Sequence, residues 1–392
     1  MKSPAPVDRD SVVATRRDIH EHPELGFEET RTAGLIAERL RGLDYHVTPG
    51  VGKTGVVGLK KNEGGRCVLL RADMDALPVE EANSVPYRSK HAGKMHACGH
   101  DGHVAIGLEV ARRLAPLALS GSVKFAFQPA EEVSNGALAM IGDGVLDAPN
   151  VDAAFGIHLW NDLPVGTVGI MAGSVMASVD QFEIEILGRG GHAAAPHQTI
   201  DPVLVAAHVI TALQSLVSRR RDPLSEAVVS VTEVHAGRAF NVIPDRAHLR
   251  GTVRTFGGSF FEAAPQLVEQ TAAGVAAAFG AQASVNYHRL SAPLFNNEEL
   301  SGLMRDVAAE LLGAGGVRQG VRTMGGEDMA FFLERVPGCF AFVGSAPKHG
   351  RPSPHHSPTF DIDEESLVIG AELLTQTAIR YLSDHARARP PG

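Results

Sequence analysis

Cysteine, basic charge and long apolar runs are all scarce in this chain. Its 392 residues hold three cysteines, too few for a disulfide framework, and two of them, Cys67 and Cys339, lie in apolar stretches. No Cys-x-x-Cys pair occurs, which removes the closed thiolate-rich zinc sites and leaves His or carboxylate to complete any metal shell. No apolar run approaches the ~20 residues that a membrane helix requires, and Met1 to Asp10 carries no apolar signal core. Basic side chains number 36 against 45 acidic ones, a formal net charge of -9. The one basic run, Arg219-Arg220-Arg221, reads as a helix C-terminal cap on a solvated face. That leaves no footprint for nucleic acid. The expectation is a soluble cytoplasmic protein with neither nucleic-acid nor membrane partners.

A chain of this length exceeds the size at which one core keeps growing, so two domains are expected. Helical and short apolar patterns alternate over the first 160 or so residues, with helices near Arg9 to Glu21, Glu28 to Leu43 and Val104 to Leu114. Strands are expected at Gly55 to Leu59, Cys67 to Ala72, Val123 to Phe127 and Ala153 to Ile157. Strands interleaved with helices predict an α/β sheet whose chemistry sits at strand C-terminal ends. The texture changes near Val179. From there strands at 181–187, 227–234, 247–255 and 283–288 enclose helices at 202–218 and 260–279, a β-α-β-β-α-β order of ferredoxin-like type. The fold class is therefore α/β: a mixed-sheet domain of residues 1–179 and 291–392, with an inserted ferredoxin-like domain at 180–290. The Pro- and Arg-rich last residues read as a frayed tail.

Five places carry side chains suited to chemistry. Cys98-Gly99-His100-Asp101-Gly102-His103 packs a thiol, imidazoles and a carboxylate into six residues, at what reads as a strand-to-helix transition, and is half of a metal site. Cys98 and His100 are the ligand candidates; His96 and His103 flank them, and His103 can equally pack or cap the next helix. Asp73 and Asp75 follow an apolar strand and share one side of the extended chain; they can bind metal, orient a ligand His, or simply shape a turn. Glu131 and Glu132 follow Gln128-Pro129-Ala130. Adjacent strand residues face opposite ways, so both serve one site only if the backbone is irregular there, which Pro129 favours. One would then ligate metal and the other move a proton, unless the pair is merely solvated. His158 ends another expected strand, as a ligand or as a packed core histidine. One member of His355-His356, in a Pro-rich loop, can close a metal shell.

Taken together and in order, these residues resemble the amidohydrolase branch of the aminoacylase and glutamate-carboxypeptidase metallopeptidase family, which holds hippurate hydrolases, N-acyl-amino-acid amidohydrolases and auxin-conjugate hydrolases. The resemblance runs from Arg17-Asp18-Ile19-His20-Glu21-His22-Pro23-Glu24-Leu25 through the motifs above to Gly325-Gly326-Glu327-Asp328 and His356-Ser357-Pro358. It implies a site for two divalent ions, with Cys98, His100, Glu132, His158 and His356 as ligands and Glu131 as general base. Asp73 and Asp75 stand where other members carry His-x-Asp, and are expected to support ligands without binding metal. A bridging Cys98 favours zinc, cobalt or nickel, with manganese as a further candidate. The same resemblance gives His192 an oxyanion-stabilising role, and Asn241 and Arg254 the carboxylate of a small N-acyl amino acid substrate. Guanidinium suits that carboxylate. The reaction implied is amide hydrolysis, with a dipeptidase or carboxypeptidase as the alternative. A non-catalytic metal-binding scaffold would have lost the base or ligands, all of which are present. An exposed lid edge strand suggests a homo-oligomer, a dimer or tetramer.

Overall fold

The computed structural model describes residues 3–62, 65–133, 135–348 and 352–384. The tail expected at the C-terminus lies outside these residues. The described residues divide into two compact units. The larger takes the chain up to Gly173, Phe295–Val321 and everything from Asp328 on; the smaller takes Ser174–Leu294 and Arg322–Glu327.

In the larger unit the N-terminal helices α1 (Arg9–His20) and α2 (Thr30–Arg41) precede β1 (His46–Val51), β2 (Gly55–Lys60) and β3 (Cys67–Asp73). After a long loop come α3 (His100–Leu114), β4 (Ser122–Gln128) and β5 (Ala153–Pro164). Asp8 starts α1 by accepting from the Ser11 N–H, a side-chain N-cap. Residues of β3 and β4 are buried throughout, as strands covered on both faces must be, so apolar residues fall on both faces of Cys67–Leu70 and of Phe125–Phe127. The sheet is mixed. Its order is β1-β2-β4-β3-β5, then Gly338–Ala346, Val168–Gly169 and Val317–Arg318, with β4, β3, β5 and Gly338–Ala346 mutually parallel. The apolar faces of α1, α3 and the C-terminal helix Glu365–Asp384 join this sheet in one core, where Ile19, Ile106, Phe125, Phe155 and Leu374 are essentially inaccessible.

Two local expectations need correcting. No strand precedes the Cys98 motif: residues 96–99 belong to the loop after β3, tied down by the Leu77–Met95 bridge, so tertiary contacts and not strand geometry aim Cys98. His158 does not end its strand either. The strand continues to Pro164 because Gly338–Ala346 pairs with it through Trp160 and beyond.

The smaller unit is an antiparallel four-stranded sheet in the order 227–236, 246–255, 179–187, 282–291. Alternation along Val179–Leu187 buries Phe182, Ile184 and Ile186 beneath helices Pro202–Ser215 and Gly258–Ala278. Asp201 caps the first of these helices and Pro202 opens it, the arrangement that the dipeptide predicts. That helix, continued by one π turn to Arg220, is among the described residues long and apolar enough to cross a membrane by length and composition, contrary to the sequence reading; Val205, Val209, Leu213 and Leu216 are buried in this unit's core. The sequence boundaries at 180 and 290 differ from the structural ones by a few residues and omit Arg322–Glu327. That segment joins the smaller unit through backbone bonds from Thr323 to Val175 and from Ala177 to Gly325.

Candidate metal centre

Helix α3 begins at His100, and the residue before it, Gly99, has φ +92°, a left-handed conformation that costs glycine little. The turn puts Cys98 and His100 on the same side. Gly102 lets α3 lie directly on β5: a Cβ there would stand 2.5 Å from Leu159 Cδ1. The close approach brings Cys98 Sγ to 3.6 Å from His158 Nε2.

Ligand-type atoms converge in overlapping sets. Cys98, His100 and His158 form one, Cys98, Glu132 and His356 a second, and His100, Glu131 and Glu132 a third, each with its atoms within 4.8 Å of one another. Cys98, His100 and Glu132 each belong to two of these three sets. Glu132 Oε1 lies 3.3 Å from His356 Nε2 and 3.9 Å from His100 Nε2.

The surrounding hydrogen bonds fix the tautomers. His158 donates from Nδ1 to the Leu159 carbonyl at 2.7 Å, and His100 Nδ1 faces the Asp75 carbonyl at 3.0 Å and Asp75 Oδ1 at 3.2 Å. In both rings the Nε2 lone pair is thus left toward the cluster, as in metal-binding histidines held by a carbonyl or carboxylate. Asp75 also accepts from the Glu132 N–H at 3.0 Å, tying two ligand candidates together. Asp73 accepts from Arg71 at 2.8 Å and from His103 Nδ1. A fourth grouping, Asp73, His100 and His103, also meets the distance condition, but His103 Nε2 accepts the Leu159 N–H at 2.9 Å, so both nitrogens of that ring are occupied.

His355 and His356 part company. His355 Nε2 bonds the Leu159 carbonyl at 3.0 Å, its ring stacked on Trp160 at 4.5 Å, and burial lowers its pKa to about 4. His356, with φ +64° and its N–H on the Ala97 carbonyl, turns toward Glu132. His96 is buried with neither nitrogen hydrogen-bonded, and burial drives its pKa down to about 3, so it stays neutral.

These residues fit a cation. His100 Nε2 and Glu132 Oε1 are buried without a well-aligned hydrogen bond, Glu132 Oε1 facing only His356 Nε2 at 3.3 Å and His100 Nε2 at 3.9 Å, a costly state for polar atoms unless something else satisfies them. Burial works against a charged His100, yet Asp73, Asp75 and Cys98 outweigh it and hold its pKa well above the usual value. Burial, reinforced by Glu132, pushes the Cys98 thiol well up. The cluster thus favours positive charge at its centre, whether proton or metal, and a bound metal would deprotonate the thiol.

Sequence reasoning missed several supports. Arg71 Nε donates to Gln128 Oε1 at 2.8 Å, and Gln128 Nε2 to Asp328 Oδ2 at 3.0 Å; the Asp328 N–H reaches Glu131 Oε1 at 3.4 Å. Glu29 bonds the backbone just before the glutamate pair. A buried Arg on a strand, or a buried Glu just before a helix, carries no sequence signal for the partner it will meet. In the smaller unit, His192 sits on a two-residue strand paired with Val242–Ile243, where its Nδ1 accepts the Ala194 N–H at 3.0 Å. The Asn241 carbonyl accepts from Ala193, and Arg254 lies on the strand Arg246–Thr255.

The profile of peptidase family M20/M25/M40 matches residues 69–380. An N-acetylcysteine deacetylase of Bacillus subtilis (strain 168) is 41% identical over 382 residues, covering 95% of this chain and 97% of that one. An IAA-amino acid hydrolase ILR1-like 2 of Arabidopsis thaliana is 42% identical over 383 residues, covering 96% and 86%. Among solved structures, the Bacillus subtilis YXEP protein, a dinuclear metal-binding peptidase of the M20 family, superposes with a TM-score of 0.84 at 37% identity over 96% of this chain and 98% of that one. The chain belongs to peptidase family M20/M25/M40, in its amidohydrolase branch, and is a metal-dependent hydrolase.

Proposed function

We propose that this enzyme hydrolyses the amide bond of N-acyl amino acids, with N-acetyl, N-benzoyl or similar aromatic acyl groups, releasing a carboxylic acid and a free amino acid. The observation that carries the reading is Arg254. Its guanidinium is more than half withdrawn from solvent, burial lowers its pKa, and among the described residues it has neither a hydrogen bond nor an ion pair within 4 Å. A half-buried guanidinium with no hydrogen bond, attracted only by Asp180 beyond ion-pair distance, suits an incoming carboxylate. Free amino-acid carboxylates are what the substrates of the N-acetylcysteine deacetylase and the IAA-amino acid hydrolase bear by their names.

Cys98, His100, Glu132, His158 and His356 would hold two divalent ions of zinc, manganese, cobalt or nickel type. When bound, such ions supply Lewis-acid polarisation of the acyl carbonyl and acidify water. Glu131, next to ligand Glu132 and held at Oε1 by the Asp328 N–H, takes the proton of the attacking water and returns it to the leaving amine. His192 accepts at Nδ1, so its neutral ring carries the proton on Nε2 and can donate to the oxyanion. Asn241 assists Arg254 at the substrate carboxylate. Residues 180–290, with their β-α-β-β-α-β order, serve as a ferredoxin-like lid. Asp73 and Asp75 orient His103 and His100.

Glu131→Gln should lower kcat by at least ~1000-fold while leaving metal content unchanged; wild-type turnover would overturn the assignment of the base. A panel of N-acetyl, N-benzoyl and indole-acetyl amino acids, their carboxamides and free dipeptides tests the substrate class. Arg254→Ala should raise KM for the free carboxylates and not for the carboxamides. Preference for free dipeptides would make the enzyme a peptidase instead.

A further inference from the structure

The two glutamates of the centre are adjacent in sequence, and in a regular strand they would face opposite ways. The irregularity that reconciles them is at Ala130. Strand β4 ends at Gln128, and Ala130 then takes φ +51° with its side chain fully buried, a left-handed conformation that L-residues with a Cβ avoid. Something must hold it there. Glu29, at the start of α2 and completely inaccessible, accepts the Ala130 N–H on Oε1 at 2.8 Å and the Thr54 hydroxyl on Oε2 at 2.5 Å. Its own carbonyl accepts from Ala33 in the first turn of α2, so the carboxylate is presented from a fixed helix start.

Glu29 has no cationic partner among the described residues. A buried carboxylate without a counter-charge is unfavourable unless its hydrogen bonds are needed, and burial accordingly raises its pKa. Both of its oxygens are spent on one task, with Thr54 orienting the carboxylate and the carboxylate gripping the turn.

Building on the assignment of Glu131 as base, we propose that Glu29 is a positioning residue. By holding the Ala130 peptide N–H it fixes the left-handed turn from which Glu131 and Glu132 both face the ligand cluster. Glu132 has a second tie, from its N–H to Asp75, so loss of Glu29 displaces Glu131 more than the ligand. The Ala130 φ links the two effects: a residue that adopts this conformation without strain should need Glu29 less.

The test uses full-length, metal-loaded enzyme. Glu29→Ala should lower kcat by roughly 10- to 100-fold with KM changed less than about twofold and metal content unchanged. Glu29→Gln, which can still accept from Ala130 and bond Thr54, should stay within about threefold of wild type. Ala130→Gly added to Glu29→Ala should recover most of the lost kcat, since glycine takes φ +51° freely. Equal losses in the Ala and Gln variants, or no recovery with Ala130→Gly, would overturn the proposal. Where Glu29→Ala does not fold, Thr54→Val decides: kcat lower by about threefold or more at constant KM supports the proposal, and wild-type kcat overturns it. Glu131→Gln run in parallel separates the two assignments. Wild-type turnover there defeats the base itself, whereas inactive Glu131→Gln beside fully active Glu29→Ala defeats only the positioning role.

Discussion

Arg16 is completely buried, and nearly everything its guanidinium meets is charged. Nε donates to Asp101 at 2.8 Å and a terminal nitrogen to Asp361 at 2.9 Å, with Glu364 at 3.5 Å. His20, one helical turn on, bonds Asp101 at 2.7 Å and reaches Glu81 at 3.3 Å. Because Asp101 follows His100 directly, this network anchors the start of the helix that bears the candidate ligand His100. Burial alone would raise the Asp101 pKa, but Arg16 and then His20 outweigh it and hold it far below 3.8. A depressed carboxylate contributes stability above its usual pKa and loses it as pH falls through the folded value. For His20 burial and Arg16 oppose the charge, yet Asp101 and Glu81 prevail and raise its pKa above 6.5; its contribution is full below 6.5 and declines as pH rises through the folded value. The two signs meet in a stability maximum between about pH 4.5 and 6.5 for this network. Urea unfolding across pH 3 to 8 should show that maximum. Asp101→Asn should cost about 3–5 kcal/mol at neutral pH and make the acid limb shallower; an unchanged limb would assign the acid sensitivity to other carboxylates. The motif residue Asp101 was visible in the sequence, while Arg16, in an ordinary amphipathic helix, was not, because an arginine at an inward position reads as a solvated one.

At the scale of elements, the centre depends on how α3 meets β5. Gly102 Cα faces Leu159 and Leu367, and a methyl group there would lie 2.5 Å from one and 3.0 Å from the other. Alanine favours a helix over glycine by ~1 kcal/mol, whereas overpacking costs about 1–3 kcal/mol. Gly102→Ala should therefore change stability by at most ~2 kcal/mol while weakening metal affinity about 10-fold or more, since the candidate ligands Cys98 and His100, before and at the start of a displaced helix, would no longer meet His158. Chelator competition measures the second quantity and thermal melting the first. Affinity equal to wild type would show that α3 accommodates the methyl without moving His100. Helix and strand assignments were largely legible here because apolar periodicity is a local property. What was not legible is the length of β5. A partner strand from residue 338 onward extends it past His158, and nothing near His158 announces that partner. Nor does the loop before Cys98 announce its course, which the bridge to Leu77 and the His356 bond to Ala97 impose.

At the scale of the whole molecule, two separate hydrophobic cores underlie the two units. Phe182, Ile184, Val209, Leu213, Leu249 and Val268 close the smaller core with residues drawn from one continuous stretch. Residues 174–294 expressed alone should thus fold and melt cooperatively, as followed by circular dichroism and amide-proton dispersion; a gradual, featureless melt would show that Arg322–Glu327 are indispensable. The β-α-β-β-α-β order was readable because period-2 alternation and the Asp201-Pro202 cap are written into adjacent residues. The candidate chemistry was readable as well, since Cys, His and paired Glu sit in short motifs with few other uses. The sequence by itself determined which side chains can bind a cation and move a proton, and which family their order matches. Only the tertiary structure decided the rest: that His103 spends both nitrogens on Asp73 and Leu159, that His355 stacks on Trp160 while His356 turns to Glu132, and that Glu29 grips Ala130. The physical reason is that each of these depends on a hydrogen-bond or ring partner many residues away, and local spacing encodes which side chains are available but not which partner claims them.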